Sequence, residues 1–231
     1  MAKSEAARRR ARDVAQPAPA TNVIALGRHQ RPKPPEFDVT GPRFMAAPEL
    51  SDWFRAVFID EDGPLANPEH AHLRQATIGV LWTTVGNSRG GRRIVGQAEM
   101  GDPMAMGKWA KERARQQVEA WFGHIPDFVM TIDALDAAER DDAEFCALIE
   151  HELMHMAQVL DPFGEPKFRK DGRPVFGIRG HDVEEFTAIV RRYGAAAAGV
   201  AEFIAAGNRP PEIASVRISQ ACGTCMGRKA A

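Results

Sequence analysis

The stretch EHELMHMAQ, residues 150–158, constrains this chain more than any other part of it. It lies within an apolar set, Phe145, Leu148, Ile149, Leu153, Met156 and Val159, that recurs at helical spacing. Asp141, with Glu144 three residues on, predicts the start of that helix as an Asp variant of the capping box, and Pro162 predicts its stop. Within it, His151, Glu152 and His155 form H-E-x-x-H. Residues i and i+4 of a helix lie about 40° apart around the axis and roughly 6 Å apart along it, so both imidazoles can reach one ion. Neutral imidazole suits Zn²⁺, with Zn–N near ~2.1 Å. Glu152 is one step further round, where a carboxylate can reach a water at the ion and act as its general base. Leu153 and Met154, the spacers, are apolar, as expected of a helix that lies on a core while showing His and Glu to a cleft. By chance the pattern arises in a chain of this length on the order of 1 % of the time, and its helical, apolar context lowers that further.

A catalytic zinc site needs three protein ligands and an open position, and three residues compete for the third place. Asp161 stands six residues after His155, but the motif that uses this spacing needs a glycine where Gln158 stands. Glu184 and its neighbour Glu185 lie on the next expected helix, HDVEEFTAIVRRYG, although acids also suit a helix N-terminus. His181 precedes that helix, with Gly180 behind it, and is free to project into a cleft. It is the favoured candidate, with Asp182 or Glu184 able to orient an imidazole through its second nitrogen.

Around this segment the pattern mixes periods of helix and strand. PELSDWFRAVFI reads as a helix, with Leu50, Trp53, Phe54 and Val57 on one face. ATIGVLWTTVGNSRGGRRIVGQAEM, residues 76–100, reads as a β-hairpin. AMGKWAKERARQQVEAWFG reads as a helix closed by Gly123, and DFVMTID as a strand. A second hairpin is expected in KFRKDGRPVF, where Asp171-Gly172 supplies the turn. Together these elements predict an α+β fold.

Residues 1–36, with Arg8, Arg9, Arg10 and Arg12 and many prolines, carry almost no apolar period. They read as a disordered basic tail ahead of one domain over 37–231. The tail could make a weak nucleic-acid contact. The formal net charge of -1 argues against a surface built throughout for nucleic acid or membrane. No apolar run is long enough to span a bilayer and no secretory h-region is visible, so a cytoplasmic protein is expected. Three cysteines make no disulfide framework. Cys222 and Cys225 have metal-ligand spacing but form only half a four-ligand set, which Cys146, a histidine or the same motif of another subunit would have to complete. Tyr193, the only tyrosine, could donate to an oxyanion but has the spacing of a packing residue.

EHELMHMAQ, GHDVEEFTAIVRRYG and the terminal ACGTC together resemble the putative phage metallopeptidase family, small proteins of tailed phages and prophages related to SprT-like zincins. The resemblance covers roughly residues 37–228. It implies a compact zincin-like core, a small and mostly antiparallel sheet packed on the H-E-x-x-H helix and a following helix. It also implies zinc on His151, His155 and His181, Glu152 as general base, and action on a protein or peptide in the cytoplasm of a bacterial host. The competing expectation is a non-catalytic, zinc-stabilised module that binds DNA or protein.

Overall fold

The structure is a computed structural model and describes residues 24–89, 91–183, 190–191, 194–196, 199–214 and 221–222. The chain divides into two units, a main one of residues 25–182 with 217–231 and a smaller one of residues 1–24 with 183–216.

The main unit is built on a sheet of β1 (Phe44–Ala46), β2 (Ile78–Thr83), β3 (Asn87–Arg89), β4 (Arg92–Met100) and β5 (Phe128–Asp133). Their spatial order is β1-β2-β5-β4-β3. Pairing is antiparallel except between β2 and β5 and between β4 and the short strand Ala221–Cys222. The hairpin expected over residues 76–100 is therefore only partly formed. β3 and β4 turn back on each other, but β2 is separated from β4 by β5. The reason is burial. All six residues of β2 are buried, and a buried strand must satisfy its backbone groups on both edges. β1 takes one edge, and β5 takes the other over the full length from Ile78↔Phe128 to Thr83↔Asp133.

Helices cover both faces. On one face lies α1 (Pro48–Phe54), which runs on into a π-helical turn over Arg55–Ile59, as the continuous apolar stripe of PELSDWFRAVFI predicts. On the other lies α2 (Lys108–Phe122), ended by Gly123 in the left-handed conformation. Phe122 sits so close to Gly79 of β2 that a Cβ there would lie 2.7 Å from the ring. After β5 come α3 (Ala134–Glu139) and α4 (Asp142–His155), the motif helix. Phe145, Leu148, Ile149 and Leu153 of α4 are all buried, and Phe145 stacks on Trp82 of β2 with ring centroids 6.2 Å apart. Each such burial contributes roughly 1.5–3 kcal/mol. The Asp141 carboxylate caps α4 by accepting from the Glu144 N–H at 2.8 Å.

The main unit takes in residues 25–36, N-terminal to the boundary read at residue 36. Leu26 is buried, and the Trp53 indole donates to the His29 carbonyl. Arg31 donates to the Ala137 and Arg140 carbonyls, pairs with Asp142 at 2.8 Å and lies 4.9 Å over the Phe145 ring. One guanidinium thus closes the end of α3 and faces the start of α4, a use of arginine that a proline-rich stretch does not advertise.

The turn Pro68–Gln75, a 3₁₀ helix, packs His70 under α4 with 1 % of its surface exposed. Burial lowers the His70 pKa to about 4, with smaller contributions from His72 and Arg179. Its Nε2 lies 3.9 Å from Glu150, too far to hold a proton against that burial. Below pH 6.5 the unfolded chain takes up a proton that the folded chain refuses, so stability falls from pH 6.5 toward about pH 4 and levels off below it. The loss from this group is at most about 3 kcal/mol. In urea unfolding at pH 7.5 and pH 5, His70→Gln is expected to lose less stability between the two conditions than the parent. Equal losses would show that His70 is not the group responsible.

In the smaller unit the described helix is α5 (Ala201–Gly207), begun after the buried Val200. The N-terminal arginines 8–12 and most of the helix expected over 181–194, with Glu184, Glu185 and Tyr193, lie outside the described residues, as does Cys225. No helix among the described residues is long and apolar enough to cross a membrane.

Candidate metal centre

The motif helix stops at His155 rather than continuing to Pro162. Met156 is already extended, and β6 (Met156–Gln158) pairs antiparallel with β7 (Phe176–Ile178). The helical spacing of Met156 and Val159 is overridden because the last turn is closed from outside. The Arg179 N–H donates to the His155 carbonyl at 3.0 Å, and its Nε donates to the Met154 carbonyl at 2.7 Å. His72 Nε2 meets the Met156 carbonyl at 2.8 Å. A cation at the C-terminal turn also complements the helix dipole.

This same closure brings three histidines together. His151 and His155 project from one face of α4, and β7 returns the chain so that His181 faces them. His151 Nε2 lies 3.3 Å from His155 Nε2 and 3.3 Å from His181 Nε2. All three ligand atoms lie within 4.8 Å of one another. His155 Nδ1 lies 2.9 Å from the Arg179 carbonyl. A carbonyl only accepts, so Nδ1 carries the hydrogen and Nε2 presents its lone pair to the cluster. The orienting partner of this imidazole is thus a main-chain carbonyl rather than Asp182 or Glu184.

Does this arrangement suit a cation? In a tetrahedral site with Zn–N near 2.1 Å, neighbouring nitrogens lie about 3.4 Å apart. Two of the separations here are 3.3 Å. A neutral His151 has at most one hydrogen on Nε2, so it cannot satisfy both neighbours with full N–H···N bonds. An ion shared by three lone pairs resolves that deficit. Burial, then the adjacent His155 and His181, lower the His151 pKa to about 4, which keeps its ring neutral, the metal-binding form, at ordinary pH. Exposure rises from His155 through His151 to His181, which leaves one side of the cluster facing outward. Among the described residues the donor set is three imidazoles, which fits a borderline cation.

Glu152, next to His151, is fully buried and lies against β4. At Gly96 a Cβ would sit 2.7 Å from Glu152 Oε1 and 3.1 Å from its Cγ and Cδ. Gly96 thus gives the carboxylate its room. Neither Gly96 nor Arg179 stood out in the sequence, because one acts through a missing side chain and the other partly through its main chain.

Asp161 is not part of the cluster. Its carboxylate accepts from the Phe163 and Glu165 N–H groups at 2.8 and 3.0 Å in a tight turn. Cys146 is 2 % exposed, and burial pushes its thiol up to about 12, so it packs as a small apolar residue.

Neither the curated proteins nor the solved structures contain a match to this chain. A family model described as "Putative phage metallopeptidase" matches residues 51–208, more than two thirds of the chain, and that span includes the three histidines, Glu152 and Gly96. The chain belongs to the putative phage metallopeptidase family.

Proposed function

We propose that this protein is a zinc metallopeptidase whose metal is held by His151, His155 and His181 and whose general base is Glu152. The single observation that carries the reading is the cluster of three Nε2 atoms, two pairs of them 3.3 Å apart, on a helix that also supplies a glutamate beside the first histidine. Family membership supports hydrolysis of peptide bonds, and a site in the host cytoplasm follows from a phage origin.

Zinc bound there would polarise the scissile carbonyl and lower the pKa of water at the open position. The rest is done by the chain. The Arg179 carbonyl fixes the His155 ring through Nδ1, so that its Nε2 lone pair stays aimed at the cluster. Glu152 takes the proton of the attacking water on its carboxylate and passes it to the leaving amine. β4 holds that carboxylate in place by offering no side chain at Gly96.

The test is metal removal. Dialysis against a chelator is expected to abolish cleavage of a protein substrate such as casein, with one equivalent of Zn²⁺ restoring it. Metal analysis of the purified protein should give about one zinc per chain. Cleavage that survives complete removal of the metal would refute the reading.

A further inference from the structure

Between His155 and His181 the chain builds an arm that the proposed chemistry does not use. It rises from β6 and β7 and folds back twice. Val159 N–H donates to the Val175 carbonyl, Lys167 N–H to Val159, and Val175 N–H to Lys167, with bridges at Leu160↔Pro166 and Phe168↔Pro174. The expected turn at Asp171-Gly172 forms its tip, with Gly172 at φ +81° and the Arg169 N–H donating to the Arg173 carbonyl. The arm is well braced, yet its side chains are left outward. Phe163 is 89 % exposed, Leu160 57 % and Phe168 54 %.

Most of its charges are unspent. Of the cations between β6 and β7, Arg173 alone reaches a carboxylate, Asp127 at 3.6 Å, among the described residues. Lys167, Arg169 and Lys170 are exposed and pair with no carboxylate among the described residues. The arm's two aspartates are engaged in its own turns. Asp161 accepts main-chain N–H groups of Phe163 and Glu165, and Asp171 accepts that of Arg173. The outcome is an aromatic ring, Phe168, flanked in sequence by Lys167 and Arg169, on a braced surface whose base is the hydrogen-bonded pair next to His155.

We propose that this arm is the specificity surface of the site, and that it receives a polypeptide substrate in which acidic residues alternate with apolar ones. The inference rests on the metallopeptidase reading. An extended peptide advances about 3.3 Å per residue, so a peptide bound at the histidines and continuing along the arm sets successive side chains against it. Three free cations favour carboxylates on that peptide, while Phe163, Phe168 and Leu160 cover its apolar side chains. A nucleic acid is the poorer fit. Three cations beside the exposed Glu165, on a chain of net charge -1, fall short of the six to ten phosphate contacts of a typical nucleic-acid interface.

The experiment uses the full-length, zinc-loaded Glu152→Gln protein, so that probes bind without being cleaved. Fluorescence anisotropy compares three labelled probes: a peptide with alternating Glu and Leu/Phe, the same peptide with Gln for Glu, and a single-stranded oligonucleotide. The acidic peptide is expected to bind about tenfold more tightly than its neutral counterpart. Adding Lys167→Glu, Arg169→Glu and Lys170→Glu together should erase that difference while zinc content and thermal unfolding stay unchanged. Equal binding of acidic and neutral peptides, selectivity that survives the triple substitution, or tighter binding of the oligonucleotide would each overturn the proposal. Chelator-insensitive cleavage by the parent protein would instead remove the metallopeptidase reading, so the two failures are distinguishable.

Discussion

Glu152→Gln is expected to retain zinc at one equivalent per chain and to lose peptide hydrolysis by on the order of 10²–10⁴-fold, the usual weight of general acid–base catalysis. The substitution is nearly isosteric, which matters because Glu152 is fully buried against β4 and tolerates little change of shape. An amide in its place can still touch the same neighbours, but it cannot take a proton from water. The three histidine nitrogens are untouched, so the two readouts separate. Metal content reports the histidine cluster, and turnover reports the carboxylate. Turnover at the parent's rate would show that Glu152 is not the base. Loss of zinc along with activity would instead make it part of the support of the site.

Most of this site was legible because its signals are local. The i, i+4 spacing of His151 and His155 and the cap at Asp141 are properties of one helix, and each depends on residues within a few positions. His181 was legible for a weaker reason, as a histidine at a glycine-containing junction. Which residue stands beside His151 and His155 depends on how the chain returns, which no window of sequence contains. His181 does so, Asp161 does not, and Glu184 lies outside the described residues. The return is made by β6 and β7, and the end of α4 is set by Arg179, 24 residues beyond His155. That long-range closure is why the helix ends at His155 although Met156 and Val159 continue its apolar period.

The same distinction runs through the fold. Helices α1, α2 and α4 and strands β2, β4 and β5 carry their periods openly. The order β1-β2-β5-β4-β3 does not, because two strands close in sequence were parted by one that follows a helix. A strand buried at all six positions implies a neighbour on each edge, but not which neighbour. Arg31 makes a similar point from the N-terminal side. In sequence it is a cation in a proline-rich stretch, and in the structure it is the bridge from residues 25–36 to the junction of α3 and α4.

Gly96→Ala carries the second large expected effect. Its methyl would stand 2.7 Å from Glu152 Oε1, closer than real Cβ contacts come, and 3.1 Å from Cγ and Cδ, a tight contact. The carboxylate end is flexible, but Glu152 is 0 % exposed, so any shift is made within the packed interior. The variant is therefore expected to lose about 1–3 kcal/mol of stability through overpacking. A displacement of the base by about 1 Å would lower kcat on the order of 10²-fold with zinc content unchanged. A general packing defect could also lower stability, so the deciding measurement is a double-mutant cycle. Glu152→Asp removes one methylene and makes room for the methyl. If the contact is the cause, Gly96→Ala costs clearly less stability in the Glu152→Asp background than in the parent, with a coupling above about 0.5 kcal/mol. Additive losses would place the defect elsewhere in β4 and leave Gly96 without a role in holding the base.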